Sequence, residues 1–205
     1  QGIRLPAPRV TTAAPGGTVL AQTASDSLLP VMRDMLRYST NLTAEVVGLS
    51  ASGARSLPAS GAAMTDWAAA RYGTGGRFVD HSGLGAQSRV AALDMAQALA
   101  RARGTGLAGI LREQGMRDDK GKEIKGHPVR VPAKTGTLNF VSGLAGYIQP
   151  PGGRELAFAI FSADLPRRDG LRGAERESPP GGRAWLGRAR TMQGQMVSRW
   201  AAMFA

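Results

Sequence analysis

From Val129 to Ala163 the chain reads VRVPAKTGTLNFVSGLAGYIQPPGGRELAFAIFSA. Three extended runs lie within it: Val129 to Thr137, Ser142 to Gln149, and Glu155 to Ala163. Pro150-Pro151-Gly152-Gly153 is a strong turn signal and joins the last two runs as an antiparallel hairpin. Beyond it, a basic, Pro/Gly-rich stretch from Pro166 to Gly182 reads as a loop. The chain then closes with Trp185, Ala189, Met192, Met196, Trp200 and Met203 on one helical stripe, expected to pack against the hairpin.

Upstream of the hairpin the periodicity is helical. Leu28, Met32, Met35 and Leu36 recur at helix spacing behind a Ser25 or Ser27 cap, with Pro30 in the first turn, where proline is tolerated. That helix is expected to stop near Tyr38, leaving Ser39-Thr40-Asn41 as a polar corner before Ala44, Val47 and Gly48 resume the pattern. Pro58 opens a third helix through Met64, Trp67 and Ala70, closed by Gly73 to Gly76. Ser88 is expected to cap a fourth, whose Val90, Leu93, Ala96 and Ala100 share a face. Leu107, Ile110 and Leu111 suggest a shorter helix, and Arg117 to His127 an exposed loop or hairpin. Residues 1–24 read as a linker followed by an edge strand at Val19, Leu20 and Ala21, and residues 25–205 as the domain proper. Helices first, an antiparallel hairpin late and a covering helix last predict an α+β or mixed α/β layered domain.

Composition narrows the function classes. At 205 residues the chain can build one sizeable core. With no cysteine, it has neither disulfides nor thiolate metal sites. His81 and His127, the two histidines, are not in ligand spacing with carboxylates, so no metal is expected. No apolar run is long enough to cross a membrane. The formal net charge of +11 would suit a polyanionic partner. Its arginines, however, are scattered between Arg154 and Arg199 without aromatic interleaving, so nucleic acid is not the expected ligand. Gln1-Gly2-Ile3-Arg4-Leu5 shows neither an initiator Met nor a signal segment, so the chain is expected to be processed, trimmed or cut from something longer.

Three short motifs stand in order along the chain: Ser39-Thr40-Asn41 followed by Ala44-Glu45, Asp80-His81-Ser82-Gly83-Leu84-Gly85, and Ala133-Lys134-Thr135-Gly136-Thr137-Leu138. Each is weak when taken alone. A Ser-x-Asn corner usually caps a helix, His-Ser-Gly is usually a turn, and Lys-Thr-Gly is usually a strand end with a solvated lysine. Two decoys are set aside. Gly104-Thr-Gly106-Leu-Ala-Gly109 follows a helix and lacks the βαβ setting of a dinucleotide site, and a glycan on the Asn41-Leu42-Thr43 sequon would block the corner.

In this order, the three motifs resemble the class C, type-4 penicillin-binding proteins, which are D-alanyl-D-alanine carboxypeptidases/endopeptidases. The apolar helix, Ser-x-Asn and Ala-Glu match Met32 to Glu45. The Asp-Gly-Ser-Gly-Leu-Ser turn is similar to Asp80–Gly85, with His81 in place of glycine. The Ala-Lys-Thr-Gly-Thr-Leu and Leu-Ala-Gly-Tyr segments match Ala133–Leu138 and Leu144–Tyr147.

The resemblance implies a partial β-lactamase/transpeptidase-like penicillin-binding domain, an antiparallel sheet flanked by helices. It also implies a periplasmic location, no cofactor, and as ligands β-lactams and peptidoglycan stem peptides ending in D-Ala-D-Ala. Ser39 would pass a proton to the leaving amine, Asn41 would hold the substrate amide, and Lys134 would supply positive charge and support proton transfer. Thr135 and Thr137 would offer hydroxyls to the substrate carboxylate, Gly136 would let the substrate lie on the strand, and the Thr137 N–H would form half of an oxyanion hole.

The family's nucleophile is a serine in Ser-x-x-Lys. Lys120, Lys122, Lys125 and Lys134 are preceded at that spacing by Arg117, Asp119, Lys122 and Val131, so the motif is absent from these 205 residues. The expectation is the C-terminal half of the catalytic domain, inactive alone, with the nucleophile on a missing half that would be its partner. The competing readings are a non-catalytic peptidoglycan- or protein-binding pseudoenzyme, a β-lactamase and a nucleic-acid binder.

Overall fold

A computed structural model describes residue 7 and residues 16–118 and 121–204. Among these residues six α-helices form: α1 Leu28–Tyr38, α2 Asn41–Ser52, α3 Leu57–Tyr72, α4 Ala92–Arg101, α5 Leu165–Gly170 and α6 Gly182–Phe204. Four strands, β1 Arg112–Glu113, β2 Pro132–Leu138, β3 Val141–Ile148 and β4 Leu156–Ala163, make one antiparallel sheet in chain order. The chain is thus a mixed α+β domain, a sheet between helices.

Strand alternation divides the labour between the two faces. Ala133, Leu144, Ile148, Phe158 and Ile160 project onto α6 and join Val197 and Ala201 in the main core. Lys134, Ala145, Tyr147 and Ala159 lie on the opposite face. There α4 covers part of the sheet, and the buried Tyr147 hydroxyl donates to the Leu99 carbonyl at 2.8 Å. The Leu-Ala-Gly-Tyr segment is a packing device. A Cβ on Gly146 would come within 2.2 Å of the Pro132 carbonyl oxygen, so only glycine lets β3 approach β2 at that register.

Several sequence expectations need correction. The predicted edge strand at Val19–Ala21 forms no strand, and Val19 and Leu20 stand exposed, paired with no strand among the described residues. Ser88 does not cap α4. The helix starts four residues later, and the Ser88 hydroxyl instead donates to Asp80 and accepts from the Val79 N–H. The stretch 166–182 is not all loop, because Asp164 accepts from the Arg167 N–H and starts α5. On α6 the buried stripe is Ala189, Gln193, Val197 and Ala201, with Met196 and Trp200 partly buried; Met192 and Met203 face solvent. Apolarity misplaced the stripe because Gln193 is buried with its polarity satisfied: its Nε2 donates to the Ser142 carbonyl and its Oε1 accepts from the Ser142 hydroxyl.

Candidate functional site

The corner between α1 and α2 is built by local backbone geometry. Ser39 ends α1 in the left-handed region (φ 56, ψ 49), and its N–H returns to the Met35 carbonyl. The chain reverses at once into α2, which begins at Asn41. Across the cleft, alternation on β2 turns Lys134 toward this corner. Its Nζ donates to Ser39 Oγ at 2.5 Å and to the Thr135 carbonyl at 2.7 Å, joining residues 95 apart in sequence. Burial holds the Lys134 ammonium below the ordinary lysine range, with no carboxylate among the described residues restoring the charge.

The other residues singled out from sequence sit around this pair. Asn41, exposed on the first turn of α2, makes no hydrogen bond to Ser39 or Lys134. Thr135, Gly136 and Thr137 line the exposed end of β2, where β1 is too short to reach: it pairs only with Pro132 and Ala133. A side chain at Gly136 would meet open space. Thr137 Oγ1 accepts from Arg190 Nη2 of α6 at 3.2 Å.

The middle motif buttresses the corner. Glu45 of α2 accepts from the backbone N–H of Ser82 at 2.9 Å and of His81 at 3.2 Å. Asp80 closes its own turn by accepting from the Gly85 N–H at 2.7 Å, the Ser82 hydroxyl at 2.9 Å and the Ser88 hydroxyl. Burial raises both carboxyls, but these hydrogen bonds outweigh it and hold each below the ordinary carboxylate range. The His81 Nε2 is 2.7 Å from the hydroxyl of fully buried Ser60, which is 2.7 Å from that of Ser52; the ring fills the space a Cβ on Gly48 would take. His81 therefore packs α2 against α3.

Sequence reading did not single out Asp80 and Glu45 for positioning, or Arg190. For the first two, a carboxylate inside each matched motif was the available signal. For Arg190 there was none, because its contact crosses 53 residues from a helix read only for its apolar stripe. Among the described residues, no group of three His, Asp or Glu side chains converges as a metal site, and no helix is long and apolar enough to cross a membrane.

Residues 1–178 match the D-Ala-D-Ala carboxypeptidase 3 (S13) family. The chain belongs to this family. It is similar to Carboxypeptidase DacB of Mycolicibacterium smegmatis, 30% identical over 168 residues, a match covering 72% of this chain and 36% of that protein. Among solved structures, the fold is similar to the Bd0816 predatory endopeptidase of Bdellovibrio bacteriovorus, solved in complex with immunity protein Bd3460. The TM-score is 0.56 with 21% identity, over 86% of this chain and 43% of that one. This S13 chain thus spans less than half the length of either relative, and at 21% identity the second likeness speaks for the fold alone.

Proposed function

We propose that this chain supplies the proton relay and the substrate-carboxylate anchor of a serine D-alanyl-D-alanine carboxypeptidase/endopeptidase acting on peptidoglycan stem peptides and acylated by β-lactams in the periplasm. The observation that carries this reading is the Lys134–Ser39 hydrogen bond. With Lys134 Nζ donating to Oγ, the Ser39 hydroxyl proton is left to point into the cleft. A hydroxyl that accepts from an amine and donates to a leaving group is a proton relay, and the depressed basicity of Lys134 eases exchange along it.

In the acylation step, a serine outside these residues attacks the penultimate D-Ala carbonyl, forming an ester and breaking the peptide bond, while Ser39 passes a proton to the departing D-Ala amine. Water then hydrolyses the ester. Asn41 holds the substrate amide from the α2 end of the cleft. The substrate lies along the unpaired edge of β2, past the open side of Gly136, where the Thr137 N–H stabilises the oxyanion and Thr135 and Thr137 face the terminal carboxylate. The segment bearing Ser-x-x-Lys has room on the sheet face beside Lys134. There Gly143, Ala145 and Ala159 carry little bulk, and Phe161 remains 42% exposed. Alone, the 205 residues form no acyl-enzyme.

The test is D-Ala release from an N-acylated D-Ala-D-Ala peptide by enzyme that includes the Ser-x-x-Lys segment. Lys134→Ala should lower kcat by about 10²–10⁴-fold, the span of a lost proton-transfer group. Unchanged turnover in that variant would remove Lys134 from the mechanism.

A further inference from the structure

Asn41 opens α2 with its side chain exposed and in no hydrogen bond among the described residues, so its aim is set by the helix that carries it. At helical spacing Asn41, Glu45, Gly48 and Ser52 fall on one stripe of α2. Each of the other three is gripped from outside the helix. The Glu45 carboxylate accepts from the backbone N–H groups of His81 and Ser82. A Cβ on Gly48 would come within 2.2 Å of the His81 ring, so the imidazole lies directly against the bare helix backbone. The Ser52 hydroxyl stands 2.7 Å from that of Ser60, which is fully buried in α3.

The hydrogen bonds around Ser60 run in one direction. Ser52 Oγ donates to the Leu49 carbonyl at 3.2 Å, so it accepts from the Ser60 hydroxyl, and Ser60 Oγ in turn accepts from the His81 ring at 2.7 Å. This assigns the imidazole proton to Nε2 and makes His81 the donor at the head of the chain. A single ring thus wedges against α2 at Gly48 and ties α2 to α3 through Ser60. Three grips along one stripe fix the rotation of α2 about its axis and its position along that axis. Asn41 lies one turn, about 5.4 Å, beyond the grip at Glu45, and close packing carries a shift at one end of the stripe to the other.

We infer that His81 is a positioning residue for the reaction: through Gly48 and Ser60 it sets the rotation of α2, and so the aim of the Asn41 amide at the substrate. The inference rests on the reading above that Asn41 holds the substrate amide. It also makes His81 and Gly48 one device, because the ring fits only where α2 carries no side chain.

The first test is a double-mutant cycle on kcat/KM for D-Ala release, in enzyme containing the Ser-x-x-Lys segment. His81→Ala should lower kcat/KM by about 10–100-fold, the scale of a contact misplaced by a fraction of its length. His81→Gln, which keeps an N–H donor for Ser60, should recover part of that loss. In an Asn41→Ala background, His81→Ala should cost nothing more. An equal fall in both backgrounds, or no fall in either, would overturn the inference. Gly48→Ala should imitate His81→Ala and add nothing in a His81→Gly background, where there is no ring to displace. Additive losses at those two positions would contradict the shared device.

A second readout needs no turnover. In NMR spectra of the protein, the Asn41 side-chain amide signals should move in His81→Ala and return toward their wild-type positions in His81→Gln, while β3 and β4 signals stay in place and report an intact fold. Ser60→Ala, which leaves the ring where it is, should move the Asn41 signals less. Unmoved Asn41 signals in His81→Ala would overturn the inference. Moved signals in a protein whose Ser-x-x-Lys-containing form releases no D-Ala would sustain the control of α2 by His81 and sink the enzymatic reading.

Discussion

Ser39 occupies a backbone region that costs a non-glycine residue roughly 1–2 kcal/mol, and it does so where its hydroxyl meets Lys134. Ser39→Gly separates the backbone role from the chemical one. It relieves that strain, at a similar cost in unfolded-chain entropy, so the melting temperature should hardly move. Turnover of the assembled enzyme should still fall by about 10²–10⁴-fold. A large loss of melting temperature would show that the hydroxyl is structural.

Lys134 gives a second handle through pH. Because burial lowers its pKa, the neutral amine appears at lower pH than for a free lysine, and any limb of the pH–kcat/KM profile due to Lys134 should lie below the ordinary lysine range. Lys134→Arg, which stays charged, should abolish that limb while keeping the positive charge. The motif residues stood out in the sequence by their types and their order. The Lys134–Ser39 contact was not, since a distance across a cleft is set by how the corner and the sheet are placed.

At the scale of elements, the sheet and the α2–turn junction each depend on one local device. For the sheet it is Gly146. A methyl group there meets backbone, which cannot swing aside, so Gly146→Ala should destabilise the fold by about 3 kcal/mol, the upper part of the overpacking range, as read by chemical denaturation. For the junction it is the carboxylates Glu45 and Asp80. Both are held below their ordinary range in the folded state, so their contribution is present above the unfolded carboxylate pKa and is lost as pH falls through the folded values. Acid unfolding of wild type should therefore be steeper than that of the Glu45→Gln/Asp80→Asn double variant, whose stability at neutral pH should be lower.

Periodicity located α1, α3 and the β3–β4 hairpin closely, because their boundaries carry strong signals: Ser27 and Pro30 at the start of α1, Pro58 in the first turn of α3, Gly73 after it, and the Pro-Pro-Gly-Gly turn. It missed β1, whose two residues Arg112 and Glu113 pair only by tertiary context. It also shifted the buried face of α6, because the partner of Gln193 lies on a distant strand.

At the scale of the whole molecule, the sheet ends on β4, whose outer edge pairs with no strand among the described residues, and the face beside Lys134 exposes Phe161. A seam left open in this way invites pairing with another segment. In our account that segment carries the nucleophile. Amide hydrogen exchange should then be fast at the outward N–H groups of β4 in the chain alone and slow once the Ser-x-x-Lys segment is present. The fold class and family were legible from the three ordered motifs, whereas the grip of His81 on α2 was not, because Gly48, Ser60 and His81 converge only in three dimensions.

The most direct test of the central claim, that this chain holds the relay and anchor but not the nucleophile, is labelling with a fluorescent penicillin resolved on a denaturing gel. The account predicts no label on these 205 residues alone, and a covalent label on the Ser-x-x-Lys portion when both are present. Label on this chain by itself would contradict it.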